Sequence, residues 1–152
     1  MADHYTQFSE QIERLSEEAE AWCKDVLVLD PDLDNDRPEL LKQLGLEDGQ
    51  EDLDNWPDFD WQLEDGVLWL YSEDGGSTNH VALLVRALIL KHMPDYIFGL
   101  TSAGYCSKPR VGEFGGCWMV VSKEGIESGS TWDAVDDRMG EIKKARIEDE
   151  DS

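Results

Sequence analysis

The sequence predicts an α+β fold, an antiparallel sheet of about four to five strands packed on one buried central helix, with a helix at each end of the chain. Three observations carry this. Residues 77–94 hold one long apolar run. Two stretches, 58–71 and 117–131, alternate and turn as hairpins. Residues 5–29 and 132–146 repeat apolar side chains every three or four positions.

The central helix has the clearest signals. Ser77, Thr78 or Asn79 can accept a bond from the first free N–H groups. Val81, Ala82, Leu83, Leu84, Val85, Ala87, Leu88, Ile89 and Leu90 follow, broken only by Arg86. A helix apolar nearly all round is a buried one. Lys91 and His92 suit its negative end, and Pro94 cannot continue it. The run falls short of the roughly 20 apolar residues that span a bilayer.

Phe8, Ile12, Leu15, Ala19 and Trp22 read as the apolar stripe of an N-terminal helix over 5–29. Pro38 at a helix start and Gly45 near its end mark a short helix over 38–46. Phe59, Trp61 and Leu63 alternate, Glu64-Asp65-Gly66 turns, and residues 67–71 run back. After the central helix come a strand over 96–101, a loop over 103–116 rich in small residues, and strands over 117–121 and 126–131 around a turn at 123–125. Trp132, Val135, Met139 and Ile142 mark a last helix over 132–146, with Ser130 or Thr131 as its cap. The expected organisation is a single domain over 1–146, with 30–60 largely irregular, and a frayed acidic tail over 147–152.

A chain of 152 residues can bury a core without staples. Three cysteines, none in a Cys-x-x-Cys pair, do not make a disulfide framework. Residues 1–9 are polar and show no leader. A reducing cytoplasm is the expected setting.

The net charge of −22 is the strongest global signal. It argues against direct contact with nucleic acid or anionic lipid, which needs Lys and Arg, and for a basic partner. Residues 30–74 carry 16 acids and 2 bases, whereas 75–123 carry 2 acids and 5 bases. Trp56, Phe59 and Trp61 interleave with the acids, and an acidic tract that stays disordered has few such rings. Either the rings pack into the core, or they also order an acidic surface made of Glu47, Asp48, Glu51, Asp52, Asp54, Asp58 and Asp60.

Other chemistry is incomplete in the sequence. Asp30, Asp32 and Asp34 match the start of a calcium loop, but Asn35 and Leu41 stand where the sharp-turn Gly and the bidentate Glu belong. His80 in a first helical turn could act as a neutral base toward Cys106 or Ser107, yet no local signature places them together. His80, His92, Cys106 and Cys117 match no structural zinc spacing, and Cys117 reads as a small buried hydrophobe. There is no phosphate loop. Lys108 and Arg110 make 102–116 the one basic loop, able to hold an anion or to pair with the acidic tract. No catalytic residue, cofactor or metal is expected.

One resemblance extends this reading. Cys106-Ser-Lys-Pro-Arg-Val-Gly-Glu-Phe-Gly-Gly, then Trp118-Met-Val-Val and Ser130-Thr-Trp132, resembles a pattern in small acidic proteins of bacteriophages and plasmids. The resemblance brings no catalytic residues. It implies a mobile-element setting, where very acidic proteins resemble DNA and occupy the basic grooves of nucleic-acid-binding proteins. The leading expectation is a non-enzymatic inhibitor or DNA mimic acting on a basic protein through the seven carboxylates. The alternative is a small-molecule or peptide-binding module, with a pocket between the start of the central helix and loop 102–116 that holds His80, Tyr105 and Arg110.

Overall fold

A computed structural model describes residues 4–73, 75–106 and 115–151. In chain order the elements are β1 (His4–Ile12), α1 (Glu17–Leu27), α2 (Asp36–Leu44), β2 (Asp60–Glu64) and β3 (Val67–Ser72). Then follow α3 (Thr78–His92), β4 (Phe98–Cys106), β5 (Gly115–Ser122), β6 (Gly125–Ser130) and α4 (Thr131–Asp151). The six strands form one sheet in the order β2-β3-β1-β4-β5-β6, and every pairing is antiparallel. The fold is α+β as expected, with one or two more strands than the sequence announced.

The central helix is α3. Ser77 caps it by accepting from the His80 N–H at 3.1 Å, and its last turn carries Lys91 and His92. Nine of its residues are buried, because the sheet lies on one side and α1 and α2 flank another. Phe8 and Ile12 of β1, Leu68 and Leu70 of β3, Phe98 and Leu100 of β4, and Met119 and Val121 of β5 share the core with it. At about 1.5–3 kcal/mol for each fully buried aliphatic or aromatic side chain, this shared face is the main source of stability. The opposite sheet face is open, with Gln7, Ser9, Gln11 and Thr101 exposed.

The hairpin β2–β3 forms as read. Asp65 and Gly66 both have positive φ, 52° and 77°, which is the geometry of a two-residue type I′ turn. A side chain at Gly66 would also meet the Leu15 carbonyl at 3.1 Å. The short helix α2 ends at Gly45, whose left-handed backbone (φ 71°) lets its N–H reach back to Leu41 and Lys42.

Three expectations are corrected. Residues 5–29 are not one helix. Residues 4–12 form β1, between β3 and β4, and only 17–27 are helical, capped by Ser16. The stretch 103–116 is not all loop, since Ala103 pairs with Gly116 and Gly104 with Gly115. Residues 147–151, four of them acidic, continue α4 rather than fraying from it. Among the described residues, no helix is long and apolar enough to cross a membrane.

Candidate acidic interaction face

The tract 47–60 is built on three inward anchors. Leu53, Trp56 and Phe59, three residues apart, are all buried in the common core. Trp56 Nε1 donates to the Val26 carbonyl at 3.2 Å, and its ring meets Phe59 edge-on with centroids 6.1 Å apart. Trp61 is half-buried against the same core. Of the two readings of the aromatic residues, the packing of the rings into the core is what the fold shows.

His80 completes the attachment. It is 4% exposed. Its Nδ1 accepts the Asp58 N–H at 3.1 Å, so the ring proton sits on Nε2, which donates to the Asp52 carbonyl at 2.8 Å. The Asp58 carbonyl in turn accepts the Ser77 N–H at 2.7 Å. One buried ring thus ties both ends of 52–58 to the first turn of α3. The arrangement also suits the helix charge. α3 has no acid in its own first turn, and Glu51 brings a carboxylate to its positive end from outside. Glu51 accepts a bond from Asn79 Nδ2 at 3.2 Å.

All seven expected carboxylates lie at the surface. Glu47, Asp48, Asp52, Asp54 and Asp60 are exposed, and Glu51 and Asp58 half-buried. Asp48 is partly neutralised by Arg37, at 3.0 Å, an exposed pair worth under about 1 kcal/mol. Asp60 opens β2, the edge strand, and Glu64 at its other end is exposed as well. In the sequence Glu64 reads as part of the turn, which hides its place on the strand beside the acids of 47–60. Acids along an edge strand also keep it from pairing with another sheet. Asp30, which with Asp32 and Asp34 drew the calcium comparison, is a turn-former: its Oδ1 accepts the Asp32 N–H, and its own N–H donates to Asp36 Oδ2. No group of side chains among the described residues could hold a metal ion.

A second feature lies on the other side of the α3 start. A cleft of about 510 Å³ opens between α3 and strands β4–β6, with Thr78, Asn79 and Asp133 among its polar lining and Ala82, Leu100 and Met119 among its apolar lining. It lies beside the α3 start, as the alternative pocket would, but His80 is not among its lining residues. His80 points to the acidic tract instead, Arg110 lies outside the described residues, and so does the side chain of Tyr105. Loop residues Ser107 and Lys108 also fall outside them. Both ring nitrogens of His80 are engaged, which leaves neither for a nucleophile or a metal. His92 is twelve positions along the same helix, about 18 Å away at 1.5 Å per residue. Cys117 is exposed and lines the cleft, not the core, because β5 turns that face toward the cleft beyond the cover of α3. The buried thiol is Cys23, pushed up to about 12 by burial and, less, by Glu20.

Comparison with protein families, curated proteins and solved structures finds no match to this chain.

Proposed function

We propose that the chain is a non-enzymatic acidic interaction protein that binds a basic, nucleic-acid-binding protein, in the manner of a DNA mimic from a phage or plasmid. One observation carries the reading. The densest acidic tract of a −22 chain is tied to the core by three buried anchors and a doubly bonded histidine, which supports an acidic surface with a set backbone path. An ordered anionic array loses less freedom on binding than a floppy one, and it steers a basic partner at long range.

The test compares two sets of neutralised acids in a pull-down from nuclease-treated bacterial lysate, washed at low and high salt. Replacing Glu47, Asp52, Asp54 and Asp60 by their amides should release the bound protein. Replacing Glu148, Asp149, Glu150 and Asp151 should release far less. Equal losses from the two sets would sink the ordered face, leaving net charge alone as the cause.

A second reading is favoured by the cleft. Its volume is within the range of small-ligand pockets, and it joins apolar floor to hydroxyl and carboxylate rim. It predicts a ligand-induced rise in melting temperature that Ala82→Trp abolishes and that the amide replacements at Glu47, Asp52, Asp54 and Asp60 leave unchanged.

A further inference from the structure

The strands of the sheet carry charge of one sign. They hold Glu10, Asp60, Glu64 and Glu127, and neither Lys nor Arg. On the open face, over β1 and β3, lies a hollow of about 300 Å³ whose lining includes Gln7, Ser9, Trp69, Tyr71 and Glu73. Trp69 and Tyr71 are alternate residues of β3, so both side chains stand on this face. Glu73 follows directly after the strand. Asp60 is the cross-strand partner of Tyr71, so the hollow borders the acidic tract.

The two half-buried rings stack, with centroids 4.0 Å apart and planes at 25°. Their polar tips are already bonded. Trp69 Nε1 donates to Ser9 Oγ at 2.8 Å, and Tyr71 Oη accepts from Gln62 Nε2 at 3.3 Å. What the pair still offers a guest is ring surface, one face of each ring being covered by the other. The Glu73 side chain is exposed, and among the described residues no cation pairs with it.

Ring faces attract cations, by about 0.5–1 kcal/mol at exposed sites. A guanidinium suits this hollow better than an ammonium does. It is planar, stacks on aromatic rings, is less strongly hydrated and forks its N–H groups toward oxygen acceptors. Glu73 and the Gln7 amide supply such acceptors beside the rings. A neutral guest such as a sugar would use the rings and leave the negative charge unanswered.

We propose that this hollow receives an arginine side chain, its guanidinium stacked on the ring pair and bonded to Glu73. The assignment rests on the reading of a basic partner given above, and it names the side chain that such a partner inserts.

Titration of the full chain with N-acetyl-arginine amide, followed by NMR, tests it. The Trp69 indole N–H and the Gln7 side-chain amide should shift and saturate. N-acetyl-lysine amide should shift them less. N-acetyl-citrulline amide, which keeps the shape and loses the charge, should leave them still. Glu73→Gln, a change at an exposed position, should weaken the arginine effect about two- to fivefold. Amides at Glu47, Asp52 and Asp54 should leave it in place. No saturating shift at Trp69 and Gln7, or equal shifts from the lysine or citrulline analogue, would overturn the proposal. The lysate pull-down separates this failure from that of the acidic face. A protein captured equally by the wild type and by Glu73→Gln, without an arginine shift, removes the hollow and keeps the basic partner. Arginine shifts without any captured protein keep the hollow and remove the partner.

Discussion

Both ring nitrogens of His80 are committed to backbone groups of the acidic tract, which makes one side chain responsible for the course of residues 52–58. Removing it leaves the Asp58 N–H and the Asp52 carbonyl without their partners, each at about 1–3 kcal/mol where water cannot replace the bond. His80→Ala should therefore lower the urea-unfolding free energy by about 2–4 kcal/mol, and His80→Gln, which can still donate and accept, by less. An unchanged midpoint would mean that the rings of Trp56 and Phe59 hold the tract without it. Cys23 gives a prediction of opposite character. Its folded thiol is pushed up to about 12, chiefly by burial and then by Glu20, against an ordinary value of 9.0. The unfolded chain loses this proton first. The stabilisation is therefore complete below pH 9.0 and is lost as pH rises toward 12. Tyr96, raised by burial and by Glu10 and Glu13, adds a loss of the same sign. The melting temperature should fall through this alkaline window, and Cys23→Ala should flatten part of the fall. Alkylation mapped by peptide mass should label Cys117, which is exposed, and spare Cys23.

Among the elements, α3 and the β2–β3 hairpin were legible because their signals are local: a cap, an unbroken apolar run, an Asp-Gly turn. The strand β1 was not. Phe8 and Ile12 are four apart, a spacing that keeps two side chains on one face of a strand as well as of a helix. What decides for the strand is hydrogen bonding to β3 and β4, from residues more than 50 positions away. The ends of β4 and β5 misled for a related reason, since Gly104, Gly115 and Gly116 have weak strand propensity and are held by the ladder they share. For the candidate site, the exposure of the acids and the anchoring of Trp56 and Phe59 could be read from their interleaving. The role of His80 could not, because its partners lie 22 and 28 residues away. The helix α4 was found by its period, but the sequence could not show that its apolar stripe stays exposed. Gly140 tests how separate α4 is. Nothing lies within 4 Å of a Cβ added there, so Gly140→Ala should stabilise the helix by about 1 kcal/mol. Far-UV circular dichroism should gain helix signal. The unfolding midpoint of the sheet domain should hardly move. A midpoint that rises with the helix signal would show α4 to be coupled to the core.

At the scale of the whole molecule, charge dominates. With 35 acids and 13 bases, at least 22 carboxylates have no cation of the chain to pair with. The ion pairs that do form, such as Arg37–Asp48 and Arg138–Glu141, are on exposed side chains and are individually weak. Repulsion among the unpaired carboxylates is spread over the surface and is greater in the compact state than in the expanded one. Added salt screens both terms, with a Debye length near 10 Å at 0.1 M and near 3 Å at 1 M. Since repulsive pairs outnumber attractive ones, screening should raise the melting temperature of the free chain. The same screening should weaken its attraction for a basic partner, so stability and affinity should move in opposite directions along one salt titration. Thermal unfolding over the same range should show the chain gaining stability. A melting temperature that falls with salt would mean that a few well-placed attractions, those around Asp48 and the α3 start first among them, outweigh the excess of like charge.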